Sequence, residues 1–455
     1  MSTLGIPVIE TLEPELDVHE ARDFSVSNGG MTVTRQIFPA QNPNSSTIVV
    51  QCFPPSPETI IDPCIWAQVG FELTFTGDNS QPLVPVLNPG ATDAPRQWPL
   101  HQCANNMDLR INGFSYNTSP QQWFPMATRL GVFQKDLNTW SSTTPSQPDT
   151  FQEYYDLGNP NQATSLRNPL LDYNGGTAWS LARGAHPIEV LSNDGNGAVV
   201  RFTSTERLLV SPLFPNEGGL TGVSTMTFAV TLSNLARAWS HGVDLARSQV
   251  TGLTVTITSF ELHMRFITPK PSFIHPQRLV LPYIEYDYAN TSSQVVAPGA
   301  SATFTNTSIN LSAMPEKIYV MVKRQDADQF QSNLSYRYTD TCARINSCTI
   351  NFANTSGLLA SYSSQDLYHM SSENGLNLPY PDWVGSENAL GNLVGAGSFM
   401  VIDVSRDLGT APDAAPGSNS MPNFNITVNA TNFGTQAKTF QLTVIIKYVG
   451  AAIIE

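Results

Sequence analysis

Carboxylates set among aromatic rings are the first residues of this chain with the means to do chemistry. Glu153 and Asp156 lie in the run Phe151-Gln152-Glu153-Tyr154-Tyr155-Asp156, and Glu285 and Asp287 alternate with Tyr286 and Tyr288. Paired acids beside aromatics are how glycosidases hold and cleave sugars. In an extended strand, however, residues i and i+2 share a face about 7 Å apart whatever their purpose. Such pairs are ordinary on solvated strands, and neither is read as catalytic. Asp326-Ala327-Asp328 offers two oxygen ligands for a cation but lacks the others of a calcium loop, so it reads as a turn. The histidines (His19, His101, His186, His241, His263, His275, His369) have no metal-ligand spacing, and His263 falls on the polar face of a strand as a surface or interface residue. Nucleophile-elbow, phosphate-loop and His-Glu-x-x-His patterns are absent. The sequence therefore predicts no catalytic, cofactor-binding or metal-binding residue.

Cysteine usage agrees. Cys52, Cys64, Cys103, Cys342 and Cys348 are odd in number and irregular in spacing, which describes neither a disulfide framework nor a zinc site. Cys342 and Cys348, six apart, could bridge, but buried free thiols are the expectation, as in a chain that folds and assembles in a reducing compartment inside a cell. The segment Met1–Arg22 is acidic and lacks a basic-then-apolar leader pattern. No run approaches the roughly 18 apolar residues that span a bilayer.

Charge narrows the partners. The net charge is −14 and Lys323-Arg324 is the longest basic cluster, so a basic stripe for gripping phosphates is missing. Direct or sequence-specific nucleic-acid binding is not expected. Only 13% of residues are charged, about half the usual share of roughly 25%. Charges keep monomers soluble and are depleted where surfaces are buried against partners. The composition suits a surface covered by neighbouring copies, and equally a polar extracellular β-protein.

The elements that would position any site are strands. Val69, Phe71, Leu73 and Phe75 alternate with small or polar residues, as do Met107, Leu109 and Ile111, and Met226, Phe228, Val230 and Leu232. Asn112-Gly113 follows the second of these runs and predicts a tight primed hairpin turn. From Leu253 to Phe266 the apolar phase changes at Thr258-Ser259, the mark of a β-bulge. The continuous apolar run Ser398–Val404 suits a central strand, and Phe440, Leu442, Val444 and Ile446 close the chain in phase. Helical spacing is confined to Leu235–Arg247, weakened by Gly242, and more faintly to Gly357–Met370.

These signals recur in order. Ile111-Asn112 in the first half corresponds to Ile350-Asn351 in the second, and Phe228/Val230/Leu232 to Phe424/Ile426/Val428. The expected architecture is all-β: two tandem jelly-roll β-sandwiches with few short helices in loops. Residues 1–30 would be an N-terminal arm, and 31–268 a first jelly roll with a long irregular insertion over about 114–197. A Pro-rich linker (269–282) would then lead to a second jelly roll (283–455) ending in an apolar tail.

Three stretches give this arrangement a known likeness: Met107–Gly113, Glu206–Phe214 running on to Phe228-Ala229-Val230, and the C-terminal strand with its tail. With them the chain resembles the double jelly-roll major capsid proteins of tectiviruses, virophages, polinton-like viruses and adenoviruses. The resemblance implies a homotrimer whose six jelly rolls make a pseudo-hexagonal capsomer of an icosahedral virion shell, with minor capsid and penton proteins as partners. Such shells enclose double-stranded DNA, often around an internal membrane, and the family carries no active site. Val449, Ile453, Ile454 and Glu455 of the apolar tail are the candidate subunit contacts. Two other architectures fit the same strands: a single-jelly-roll shell protein with a projecting domain, and a secreted carbohydrate-binding or glycan-cleaving β-sandwich.

Overall fold

Alternation along each strand decides which face is buried, and the computed structural model shows the outcome for residues 32–56, 58–87, 93–131, 140–143, 188–214, 218–241, 247–269, 279–329, 340–352, 355–385, 396–409 and 423–454. In the first half, one sheet runs in the order β1 (Thr32–Pro39), β12 (Val250–Thr268), β4 (Trp66–Gly77), β9 (Gly197–Arg207), β8 (Glu189–Asn193), with β3 (Ile60–Ile61) also on β12. The facing sheet is β2 (Thr47–Cys52), β10 (Met226–Leu232), β6 (Ala104–Ile111), β7 (Phe114–Thr118). A small pair, β5 (Asp93–Pro95) with β11 (Trp239–His241), lies apart from both.

The second half repeats the plan. Its sheets are β13 (Leu279–Asn290), β21 (Lys438–Ile454), β16 (Lys317–Arg324), β19 (Phe399–Asp403), with β14 (Gln294–Val296) on β21, and β15 (Ser301–Asn310), β20 (Asn423–Thr431), β17 (Arg344–Phe352), β18 (Thr355–Leu358). Counting the eight principal strands of each half from its N-terminus, both halves pair as 1-8-3-6 and 2-7-4-5. That is the jelly roll, present twice. The second half is thus a full sandwich of its own and not a projecting domain. The halves correspond as the sequence suggested: Ile111 and Ile350 lie on the fourth strand of each, Phe228 and Phe424 on the seventh.

Several local signals are visible in the backbone. β12 pairs with β4 with register shifts between Val250 and Gly252 and between Ile257 and Ser259, and the second makes the phase change a bulge. Ile111 pairs with Phe114 across Asn112 and Gly113, whose φ angles are 49° and 87°. Both central residues are left-handed, the geometry of a primed hairpin.

Other expectations are corrected. Over Leu235–His241 the expected helix does not form: Leu235–Ala238 make one 3-10 turn and the chain then extends into β11, while residues 242–246 lie outside the described residues. Asn234 provides no side-chain cap, and Trp239 is drawn into the sandwich core beside Phe75. The fainter helix starts later than expected, as α3 (Ser364–Glu373), where Ser363 and Asp366 form a reciprocal capping box. Ser398–Val404 does not build a central strand. β19 ends its sheet, and its second face is buried by α3, whose Ser371 hydroxyl accepts from the Val401 amide at 3.1 Å.

The Pro-rich stretch contributes Leu279–Pro282 to β13. The insertion opens as β7 and α2 (Pro120–Ala127) and closes as β8, the part between lying mostly outside the described residues. The shorter helices are α1 (Pro99–Cys103), α4 (Tyr380–Val384) and α5 (Val404–Asp407). None of the described helices is long and apolar enough to cross a membrane.

Candidate functional site: the seam between the jelly rolls and the exposed tail

β16 is buried at seven of its eight positions, on both faces. A sandwich strand needs only one buried face, so the other must meet a second body. That body is the first jelly roll. Trp98, Trp123, Phe124, Met126, Ala127 and Leu130 belong to the same apolar cluster as the core of the second sandwich.

Pro120 starts α2 where its missing N–H costs nothing, and the helix aims Trp123 across the seam. Its indole lies on the Tyr286 ring with centroids 5.5 Å apart and planes 18° from parallel, while its Nε1–H donates to Thr118 Oγ1 at 2.9 Å. Tyr116 meets Tyr283 at 5.7 Å. Burial raises the Tyr286 and Tyr288 hydroxyls above the ordinary phenol pKa. In the other direction, Leu281 of β13 enters the core cluster of the first jelly roll. Backbone bonds cross too: Gly131 N donates to Gly375 O at 3.0 Å and Asn377 N to Arg129 O at 2.8 Å.

A buried ion cluster sits beside these rings. Arg237, fully buried on its 3-10 turn, donates from Nη2 to both oxygens of Asp340 at 2.7 and 2.9 Å and from Nη1 to Asp326 at 2.9 Å. Arg96 reaches Asp340 at 3.2 Å and Lys323 lies 3.5 Å from it. Gln121 of α2 donates to Asp326 at 3.3 Å. Burial by itself would raise the Asp340 carboxyl, but Arg237, Lys323 and Arg96 hold it far below the usual carboxylate range; Asp326 is lowered against burial in the same way, by Arg237 and Lys323. Buried, fork-bonded pairs of this kind fix geometry because every alternative leaves a charge alone in low dielectric. A second buried pair, His101 Nδ1 with Glu206 at 2.7 Å, backs α1; the Leu209 amide donates to His101 Nε2 at 3.3 Å, which sets the tautomer.

Asp326, read from the sequence as a turn, is in a 3-10 turn and serves this cluster; Asp328 accepts from the Thr439 amide. Glu285 and Asp287 flank the tyrosines that face the seam, and burial together with Asp287 raises the Glu285 pKa. Glu153 and Asp156 lie outside the described residues. Among the described residues no cluster of His, Cys, Asp or Glu has the arrangement of a metal site. Trp123, Arg237 and Asp340 carry the seam without any signature in the sequence. Nothing local marks them, since their partners across the seam stand 89 to 163 positions away.

The tail is a strand. Val449 stands opposite Ile284, Ile453 opposite Val280, and Ile454 opposite Leu279 in the β13–β21 ribbon. Val280, Val449 and Ile453 are 58%, 51% and 36% exposed. With Pro282 and Ala451 between them they make one apolar ribbon face open to solvent, while Leu281 on the other face is buried. Glu455 lies outside the described residues. All five cysteines are free, and burial pushes the Cys52, Cys103 and Cys348 thiols up to about 12. Ellman's reagent on the native protein is therefore expected to titrate one thiol, the half-buried Cys64, and all five in denaturant.

Two like-built jelly rolls, locked side by side and carrying apolar faces outward, define a double jelly-roll capsid subunit. Relatives agree. Residues 9–267 match the Sputnik virophage major capsid protein first domain, and 286–450 match the major capsid protein V20 C-terminal domain. The putative capsid protein V20 of Sputnik virophage is 30% identical over 456 residues, covering 95% of this chain and 75% of that protein. The chain in the 3.5 Å cryo-EM structure of the Sputnik virophage superposes with a TM-score of 0.78 at 26% identity, over 97% of this chain and 90% of that one. The mavirus major capsid protein has the same fold, with a TM-score of 0.72 at 16% identity over 92% and 88%. The protein belongs to the virophage major capsid protein family. It is a structural protein of the virion capsid.

Proposed function

We propose that the protein assembles as a homotrimer whose six jelly rolls form a pseudo-hexagonal capsomer, and that these capsomers tile an icosahedral shell with minor capsid and penton proteins. The seam carries this reading: it makes the two sandwiches one rigid block, so each chain supplies two adjacent places of a six-membered ring. The protein acts by burial of surface, without catalysis and without gripping the genome it encloses, in keeping with its −14 net charge. Light scattering and negative-stain images of the purified chain test this. Particles near three times 49.6 kDa with a hexagonal outline, or closed shells, are expected; a monomer at every concentration would contradict it.

The apolar ribbon face is the first candidate contact, with Val449 and Ile453 as its exposed members, and Ile454 and Glu455, which follow in sequence, complete the candidate set. A Val449→Asp/Ile453→Asp double variant should change the melting temperature of the isolated chain little, because both positions lie on the solvent-open ribbon face where a carboxylate can reach water. Its association should weaken about 100-fold or more, as buried interface anchors do when replaced by charge. Unchanged association would remove the tail from the interface.

A further inference from the structure

The buried pair behind α1 keeps a histidine where only its neutral ring fits. Both side chains, His101 and Glu206, are fully buried. One Glu206 oxygen accepts from the Leu100 amide at 2.8 Å and the Ser204 hydroxyl at 2.7 Å. The other accepts from the His101 amide at 3.2 Å and from His101 Nδ1 at 2.7 Å. Four donors are the surroundings of a carboxylate, so Nδ1 carries a hydrogen. Nε2 accepts from the Leu209 amide at 3.3 Å and therefore carries none. A second proton on this ring would set one N–H against another and leave the Leu209 amide buried without an acceptor.

Leu209 belongs to the seam. Its side chain is in the apolar cluster of the second jelly roll, whereas Leu208 and Val210 on either side pack in the first. Two residues further on, Ser211 Oγ accepts from the Ile284 amide of β13 at 3.0 Å. On its ring faces His101 meets Trp98 edge-on at 4.9 Å and Phe124 at 6.0 Å between centroids. Phe124 leads on to Trp123 and its stack with Tyr286.

We propose that His101 is an acid-sensitive latch of the seam: a second proton taken up at Nε2 expels the Leu209 amide and loosens the hold of one jelly roll on the other. The proton comes from solvent and bonds to Nε2. The bond from the Leu209 amide breaks, and the bond from Nδ1 to Glu206 stays, now as an ion pair. Glu206 is the titrating group in direct contact with the ring. The other charged groups on the elements around it are turned elsewhere. Arg207 of β9 lies on the Trp140 ring at 4.1 Å, and Arg129 after α2 donates to the Asp340 carbonyl. Arg96 and Arg237 are engaged by Asp340. Cys103 of α1 is a neutral thiol, pushed up to about 12 by burial. Residues 140–143 and 208–214, which complete the surroundings, include no charged residue. The latched state excludes the second proton, whereas an imidazole in the unlatched or unfolded chain accepts it below about pH 6.5. The state that binds fewer protons loses stability as pH falls, by up to about ten-fold in its equilibrium constant for each unit of pH.

Hydrogen exchange of the full chain at about pH 7.5 and about pH 5.5, corrected for the intrinsic rate and read by mass spectrometry, tests this. In the wild type, protection of peptides covering Leu208–Phe214 should fall about ten-fold in acid while β20 stays protected. In His101→Gln and His101→Asn, neither of which titrates, protection of the same peptides should change less than about two-fold between the two conditions. An equal acid loss in wild type and variants would overturn the latch, and so would unchanged protection in the wild type. If neither variant folds, the wild type decides by itself. Loss confined to Leu208–Phe214 and the facing part of β13 supports the latch, and a loss shared with β20 overturns it.

Discussion

Replacing Asp340 with Asn is expected to destabilise the folded chain by about 3–5 kcal/mol, the cost of breaking a buried ion pair from one side. The substitution keeps the volume and one carbonyl oxygen, so packing is nearly unchanged. What it removes is the negative charge that faces Arg237, Arg96 and Lys323 at 2.7, 3.2 and 3.5 Å. It also turns an NH2 toward the Arg237 fork. The two arginines are buried and have no water to turn to. Urea unfolding of the two proteins measures the difference, and a loss below about 1 kcal/mol would show that the cluster relaxes or hydrates.

The same cluster sets a pH dependence. Asp340 and Asp326 have folded pKa values below the unfolded carboxylate value of about 3.9. A depressed folded pKa gives stability that is fully present above the unfolded pKa and is lost as pH falls through the folded one. Wild-type stability should therefore be insensitive to these groups from pH 7 to about 5 and decline below about 4. Asp340→Asn should flatten that acid slope. An equally steep slope in both proteins would mean that other carboxylates carry it.

Trp123→Ala is expected to cost about 3–5 kcal/mol as well, by a different mechanism. Trp123 is 2% exposed and touches both Phe124 and Tyr286. Removing it opens a cavity between two sandwiches that are each held by their own ladders and cannot collapse to fill it. The loss should appear chiefly as uncoupling, with the single unfolding transition splitting in two. Trp123→Phe, which keeps a ring on Tyr286, should lose less than half as much. Calorimetry separates the cases: one transition with an unchanged midpoint in Trp123→Ala would mean the seam is held by the ion cluster and not by the stack.

Much of the fold is legible without coordinates. The bulge at Thr258-Ser259, the Asn112-Gly113 hairpin and the correspondence of Phe228 with Phe424 are all local patterns of period two, and a strand writes its buried face directly into its residues. The same logic misplaces Ser398–Val404, because burial on both faces looks identical whether neighbouring strands or a helix provide it. It also overreads Leu235–Arg247. There, helical spacing comes from Ala238 and Trp239 going to a sandwich core and Arg237 to an ion cluster, destinations that no periodicity encodes.

By itself, then, the sequence determined the two β-sandwiches, the order of their strands and the lack of catalytic motifs, since these follow from side-chain alternation, turn chemistry and residue type over a few positions. The tertiary structure alone decided the seam. Trp123 reaches Tyr286, Arg237 reaches Asp340 and Leu281 enters the first core because the jelly-roll crossings bring distant strands to one place, and each of these side chains is individually unremarkable until that happens. Whether a charged residue is a solvated surface group or the buried lock of two domains depends on what covers it, and covering is a long-range property of the chain.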